Sequence, residues 1–138
     1  MSIPGSLKFA LRPLVEAYAV EALGILQKYT CKKLRIDEII LSKRLSSTMG
    51  IAKWELRGKR YRYIIKISSK IFTKDCKALK ETVYHEVAHL ADWQIYKCWG
   101  HGETWVRLMN RLGVEPKVYA EPEEYLEAGY LQKIKSHV

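Results

Sequence analysis

Only three cysteines, Cys31, Cys76 and Cys98, occur in the 138 residues, and no two of them form a Cys-x-x-Cys pair. That excludes a cysteine zinc ribbon, and the odd count and wide spacing exclude a disulfide framework. A reducing, intracellular setting is therefore expected. Long apolar runs are missing too. Nothing approaches the roughly 20 residues needed to span a membrane, and the opening MSIPGSLKFALRPL lacks the apolar stretch of a secretory signal. Repeats, low-complexity tracts and linkers are absent. Acidic residues are scarce in one half: residues 1–80 hold 18 Lys and Arg against 6 Asp and Glu, whereas residues 81–138 hold 6 against 9. The net charge of +9 thus belongs to the first half. Such a basic half suits a polyanion such as nucleic acid, and equally a plain solvated surface. Histidine is rare as well, with four in the chain, yet three of them fall within residues 85–101.

What is present supports one folded unit. Hydrophobic residues make up 48% of the chain, enough to close a core, and 138 residues fit a single domain. Pro13 suits the first turn of a helix, and Leu14, Tyr18, Ala22, Ile25 and Tyr29 recur at helical spacing, which predicts a long helix to about Lys33. Ile36 to Leu41 reads as a strand. Ser46, Ser47 and Gly50 mark a turn. Residues 51–56 alternate Ala52, Trp54 and Leu56 with Lys53, Glu55 and Arg57, as a half-buried strand does. After Gly58-Lys59, Tyr61, Tyr63, Ile65 and Ile67 face one way and Arg60, Arg62, Ile64 and Lys66 the other, so a hairpin with one basic face is expected. Leu79, Val83, Val87 and Leu90 stripe another helix, capped by Thr73 or Asp75. Trp105, Leu108, Met109 and Leu112 predict a shorter one, stopped by Gly113. A last helix is expected from Glu121 to Lys135, opened by Pro122.

The second helix carries His85-Glu86-Val87-Ala88-His89. Residues four apart share a helix face, so both imidazoles can address one metal ion. Glu86 is rotated to the flank, where it can reach a water at the site without binding the ion. Two fixed nitrogens, a third ligand, an open water position and a base meet the needs of zinc-assisted hydrolysis. In that chemistry the carboxylate takes the water's proton and delivers it to the leaving amine. His101, flanked by Gly100 and Gly102, is favoured as third ligand because the glycines let the chain turn back; Glu103 is the competitor. Glu103 and Asp92 could instead orient histidine rings, and His137 reads as a terminal histidine. Tyr84, Tyr96, Tyr119, Tyr125 and Arg107 are candidates to stabilise an oxyanion, and spacing does not choose among them. Trp105 reads as core. Trp99, beside the glycine turn, could line a cleft or stack on a base.

The segment HEVAHLADWQIYKCWGHGETWVRLMNRLGVEP resembles the catalytic segment of the SprT-like metallopeptidases. It has the zinc helix, a loop ending in His-Gly, a helix bearing Trp and Met, then Leu-Gly and a nearby Pro. Upstream, LSKRLSSTMGIAKWELRGKRYRYIIKIS is similar to that family's strand, turn, glycine and hairpin. The resemblance spans about residues 12–116. It implies one zinc per chain held by His85, His89 and His101, Glu86 as catalytic base, and peptide-bond hydrolysis in protein substrates. It also implies action on proteins bound or crosslinked to DNA, including single-stranded or damaged DNA. Many members carry a C-terminal cysteine zinc ribbon or further DNA-binding modules; here a helical tail is expected in that place.

The expected fold is thus α+β and zincin-like: a long N-terminal helix on a small, mainly antiparallel sheet, with the metal helix beside it. It forms a single domain over residues 1–138, its catalytic core at 12–116 and its tail at 117–138. The expected nucleic-acid contacts are Arg60, Arg62, Lys66, Lys53, Arg57 and Trp99, with help from Lys43 and Arg44. A DNA-binding module with a structural or inactive zinc site is the alternative. The intact Glu86 argues against it, since a structural site needs no base.

Overall fold

The computed structural model describes residues 5–43, 45, 49–69 and 76–116. The expected caps Thr73 and Asp75, the turn residues Ser46 and Ser47, Arg44, Tyr119, Tyr125, His137 and the helix over 121–135 lie outside the described residues. Among the described residues, three helices and a three-stranded sheet follow in the order α1 (Gly5–Gln27), β1 (Glu38–Ser42), β2 (Gly50–Arg57), β3 (Arg60–Ser68), α2 (Cys76–Tyr96) and α3 (Glu103–Arg111).

Helix α1 starts eight residues before the expected point and runs through Pro13. Proline's missing N–H disfavours a helix interior by about 3 kcal/mol, which is why Pro13 reads as a start in the sequence. Its buried stripe is Val15, Ala19, Ala22 and Leu26, one position round from the predicted centre, with Leu14, Tyr18 and Ile25 as flanks. Two alanines in that stripe let the helix backbone lie close to α2. The helix stops at Gln27 rather than Lys33 because the Gln27 side chain serves the loop beyond it. Its Nε2 donates to the Lys32 carbonyl at 2.7 Å, and its Oε1 accepts from the Leu34 N–H at 2.9 Å.

The sheet is mixed, not mainly antiparallel. Its order is β1-β3-β2, with β2 antiparallel and β1 parallel to β3. The hairpin turns at Gly58-Lys59 as expected, and that leaves the far edge of β3 for β1. Asp37 fixes the join: its N–H donates to the Tyr63 carbonyl at 2.8 Å, and its Oδ2 accepts from the Tyr63 N–H at 2.8 Å. Tyr63, Ile65, Ile67, Ala52, Ile39 and Leu41 face the core, where α2 lies.

Helix α2 is buried from Thr82 to Gln94 without a break. Helices enclosed on all sides are ordinarily apolar all round, and the stripe of Leu79, Val83, Val87 and Leu90 is indeed fully buried. This one, however, also buries His85, Glu86, His89, Asp92 and Gln94. An unpaired polar group in such a place costs about 1–3 kcal/mol, so each of them calls for a partner or a purpose. Among the described residues no helix is long and apolar enough to cross a membrane.

Candidate metal centre

His85 and His89 lie one turn apart on α2, each 6% exposed. The helix ends at Tyr96, and Lys97 takes a positive φ of 56° beneath a cation–π contact 5.2 Å from the Trp93 ring. Gly100, at φ 124°, then turns the chain in a region that side-chain-bearing residues avoid. His101 returns to the two helical histidines. The three Nε2 atoms form a triangle with sides of 3.1, 3.2 and 3.3 Å.

That triangle is a poor set of hydrogen bonds and a good fit to a metal. A ring nitrogen is either a donor or an acceptor, so among three that all face one another at least one pair must be alike. Around a tetrahedral ion with Zn–N of about 2.0–2.1 Å, ligand nitrogens stand roughly 3.3 Å apart. The three side chains could therefore hold a metal ion. Their charge state suits it. Burial, with His101 nearby, lowers His85 from its usual 6.5 to about 3, and burial drives His89 well below 6.5. Both present neutral imidazoles at neutral pH.

Trp105, which reads as core in the sequence, is fully buried and also floors the site. Its ring stacks on His89 at 5.3 Å and meets His85 and His101 edge-on at 4.9 and 4.6 Å. Glu86 lies one residue on from His85, 6% exposed, against the first residue of β2. A Cβ added at Gly50 would stand 3.2 Å from both Cγ and Oε2 of Glu86 and 3.0 Å from Cγ2 of Thr82. The glycine therefore admits the carboxylate. Its sequence neighbours mark it only as a turn residue, and its place at the head of a strand is the one signal that could have pointed further. Asp92 is 1% exposed, bonded to the Thr104 side chain on α3, and burial pushes its carboxyl from 3.8 up to about 6.

Other candidates fall away from this cluster. Glu103 is exposed and paired with Arg107 at 3.1 Å, so it is not grouped with the histidines, and Arg107 is engaged there too. Tyr84 is buried and donates to Glu21 on α1. Trp99 is 4% exposed, with Trp54 edge-on at 6.5 Å and His89 at 5.7 Å. Its face is thus packed inside the protein rather than offered to a base.

The outer sheet face has the expected alternation. Strand register sets Arg57 beside Arg60, Glu55 beside Arg62, Lys53 beside Ile64 and Ile51 beside Lys66. The two basic sets do share a face. Two of the cations have acidic partners on it, Arg62 with Glu38 and Arg57 with Glu55.

Comparison with curated proteins and with solved structures returned no match. Residues 24–124 match the model of the SprT-like family. With that match spanning most of the chain, and a histidine cluster able to hold a metal at its centre, the protein belongs to the SprT-like family.

Proposed function

We propose that the protein is a zinc-dependent endopeptidase of zincin-like design, acting on protein substrates, with residues 12–116 as the catalytic core of a single domain. The observation that carries this reading is the convergence of three imidazole Nε2 atoms within 3.3 Å of one another beside a buried glutamate. His85, His89 and His101 would hold one zinc ion per chain. Bound there, a zinc ion would supply Lewis-acid chemistry toward a peptide carbonyl and a water molecule. Glu86 accepts the proton of the attacking water and returns it to the leaving amine. Burial of the pair excludes bulk water, and Trp105 keeps the rings from turning away.

The reading extends to substrates held on DNA. Arg60, Arg62, Lys66, Lys53 and Arg57 line one sheet face, and their charge supports sequence-independent contact with a phosphate backbone. A structural zinc site in a binding module is the weaker reading, because it leaves the buried Glu86 without a task. The test is metal analysis joined to a proteolysis assay, with and without single-stranded DNA, on wild type and Glu86→Gln. Zinc in both proteins with cleavage only in wild type supports the peptidase; equal cleavage in both removes it.

A further inference from the structure

Asp92 is a buried carboxylate on α2 that the proposed hydrolysis does not use. One side of its carboxylate is accounted for, by the hydrogen bond from Thr104 on α3. Its Oδ1 is buried with no hydrogen-bond partner. Three residues earlier on the same helix, Nδ1 of His89 is also buried without a partner. Residues three apart are neighbours on a helix, and helical side chains lean toward the N-terminus, so Asp92 leans toward His89.

The two orphans are chemically complementary. Nε2 of His89 faces the other two imidazoles, and holding an ion requires its lone pair there. The ring proton must then sit on Nδ1, which makes that atom a donor in need of an acceptor. The indole N–H groups of Trp93 and Trp99 are buried and unpartnered as well, and no hydrogen bond joins either to Asp92. Of the three donors, only His89 would gain ligand basicity from the bond.

We propose that Asp92 is a positioning residue for His89. With the ion in place, its Oδ1 accepts the Nδ1 proton of His89, by a side-chain rotation or through one buried water, while Thr104 anchors the carboxylate from α3. This rests on the metal reading above and adds a consequence: α3 is tied to the metal site through Thr104 and Asp92 as well as through Trp105.

The test compares wild type, Asp92→Asn and Asp92→Ala for zinc affinity, by competition with a chromophoric chelator. It also measures thermal unfolding of each metal-free protein and, in the zinc-loaded proteins, the His89 Nδ1–H proton resonance. Asn keeps the shape and removes a buried charge, so the metal-free Asp92→Asn protein should unfold at or above the wild-type temperature. Its zinc affinity should nevertheless fall about 10-fold, and that of Asp92→Ala up to about 100-fold. The His89 Nδ1–H signal should move upfield in Asp92→Asn. Wild-type affinity and an unmoved signal in Asp92→Asn would overturn the proposal. So would a loss of zinc that merely tracks a loss of folded protein, which marks Asp92 as structural. A wild type that takes up no zinc sinks the metal reading itself and this inference with it.

Discussion

Helix α2 and the outer face of the sheet both carry ionisable residues at regular spacing, yet they differ in what that spacing costs. On α2, His85, Glu86, His89 and Asp92 are all at most 6% exposed. Polar groups there forgo water, and stability alone favours apolar replacements. On the sheet, Arg57 and Arg60 stand in solvent, and Glu55 and Glu38 partner Arg57 and Arg62. Charges in solvent cost little, and isolated surface pairs are worth about 0–1 kcal/mol. A buried, convergent set therefore points to chemistry, whereas an alternating set that runs from half-buried Lys53, Arg62 and Lys66 to exposed Arg57 and Arg60 is equally at home binding phosphate or simply keeping the protein soluble.

The contrast can be broken from the α2 side first. Glu86→Gln should retain zinc and fold but lose at least about 100-fold in peptide hydrolysis, since the amide cannot take a proton. A steady-state assay at matched zinc content measures it, and near wild-type turnover would remove Glu86 as base. Next in size is zinc itself. His101→Ala should lose most of its zinc on dialysis against a chelator, while Glu103→Ala, exposed and paired with Arg107, keeps it. The reverse outcome would make Glu103 the ligand.

A smaller effect sharpens the geometry. Gly50→Ala brings a Cβ to within 3.2 Å of the Glu86 carboxylate. Zinc content should be unchanged, but displacing the base by a few tenths of an ångström should lower kcat by about 10-fold. Unchanged kcat would show that the carboxylate has room to spare.

Acid sensitivity divides the α2 groups by sign. In the metal-free protein His85 and His89 titrate below their usual 6.5, His85 at about 3. Their contribution to stability is present above pH 6.5 and is lost as pH falls toward 3, because the unfolded chain takes up protons that the fold refuses. Asp92 is shifted upward, from 3.8 to about 6, and works oppositely between those values. Denaturation midpoints of metal-free Asp92→Asn should therefore fall more steeply than wild type from pH 6 to pH 4. Parallel curves would contradict the opposed shifts.

The sheet face carries the smallest expected change. Arg60, Arg62 and Lys66 replaced together by Ala should flatten the log–log salt dependence of single-stranded DNA binding by about 0.7 for each phosphate that the variant no longer neutralises. An unaltered slope in a folded variant assigns the face to solubility.

Much of this is legible in local pattern. The His-Glu-x-x-His spacing, the glycines around His101 and the 51–67 hairpin all depend on neighbours in sequence, and all three appear as expected. Local rules mislead at Pro13, where a usual starting residue lies inside α1, and at Gln27, whose side chain ends the helix early. The parallel placement of β1 is not legible, because nothing in a short β-branched run states which edge of β3 it will take. Trp99 and Trp105 can be read in sequence only by their neighbours along the chain. In the fold Trp105 is both core and floor of the site, and Trp99 is packed away from solvent. Asp92 is legible in sequence only as one of two candidates, with Glu103, to orient a histidine ring, and its burial against Thr104 on α3 sets it apart; Gly50 acquires meaning only through the contact of α2 with the head of β2.

Zinc-edge X-ray absorption on the loaded chain tests the central claim most directly, since it counts and identifies the ligand atoms. A three-histidine centre predicts one zinc per chain with three imidazole nitrogens at about 2.0–2.1 Å and one further light atom. Sulfur scattering at about 2.3 Å, which the exposed Cys31 and Cys98 could supply, would place the metal elsewhere and contradict the account.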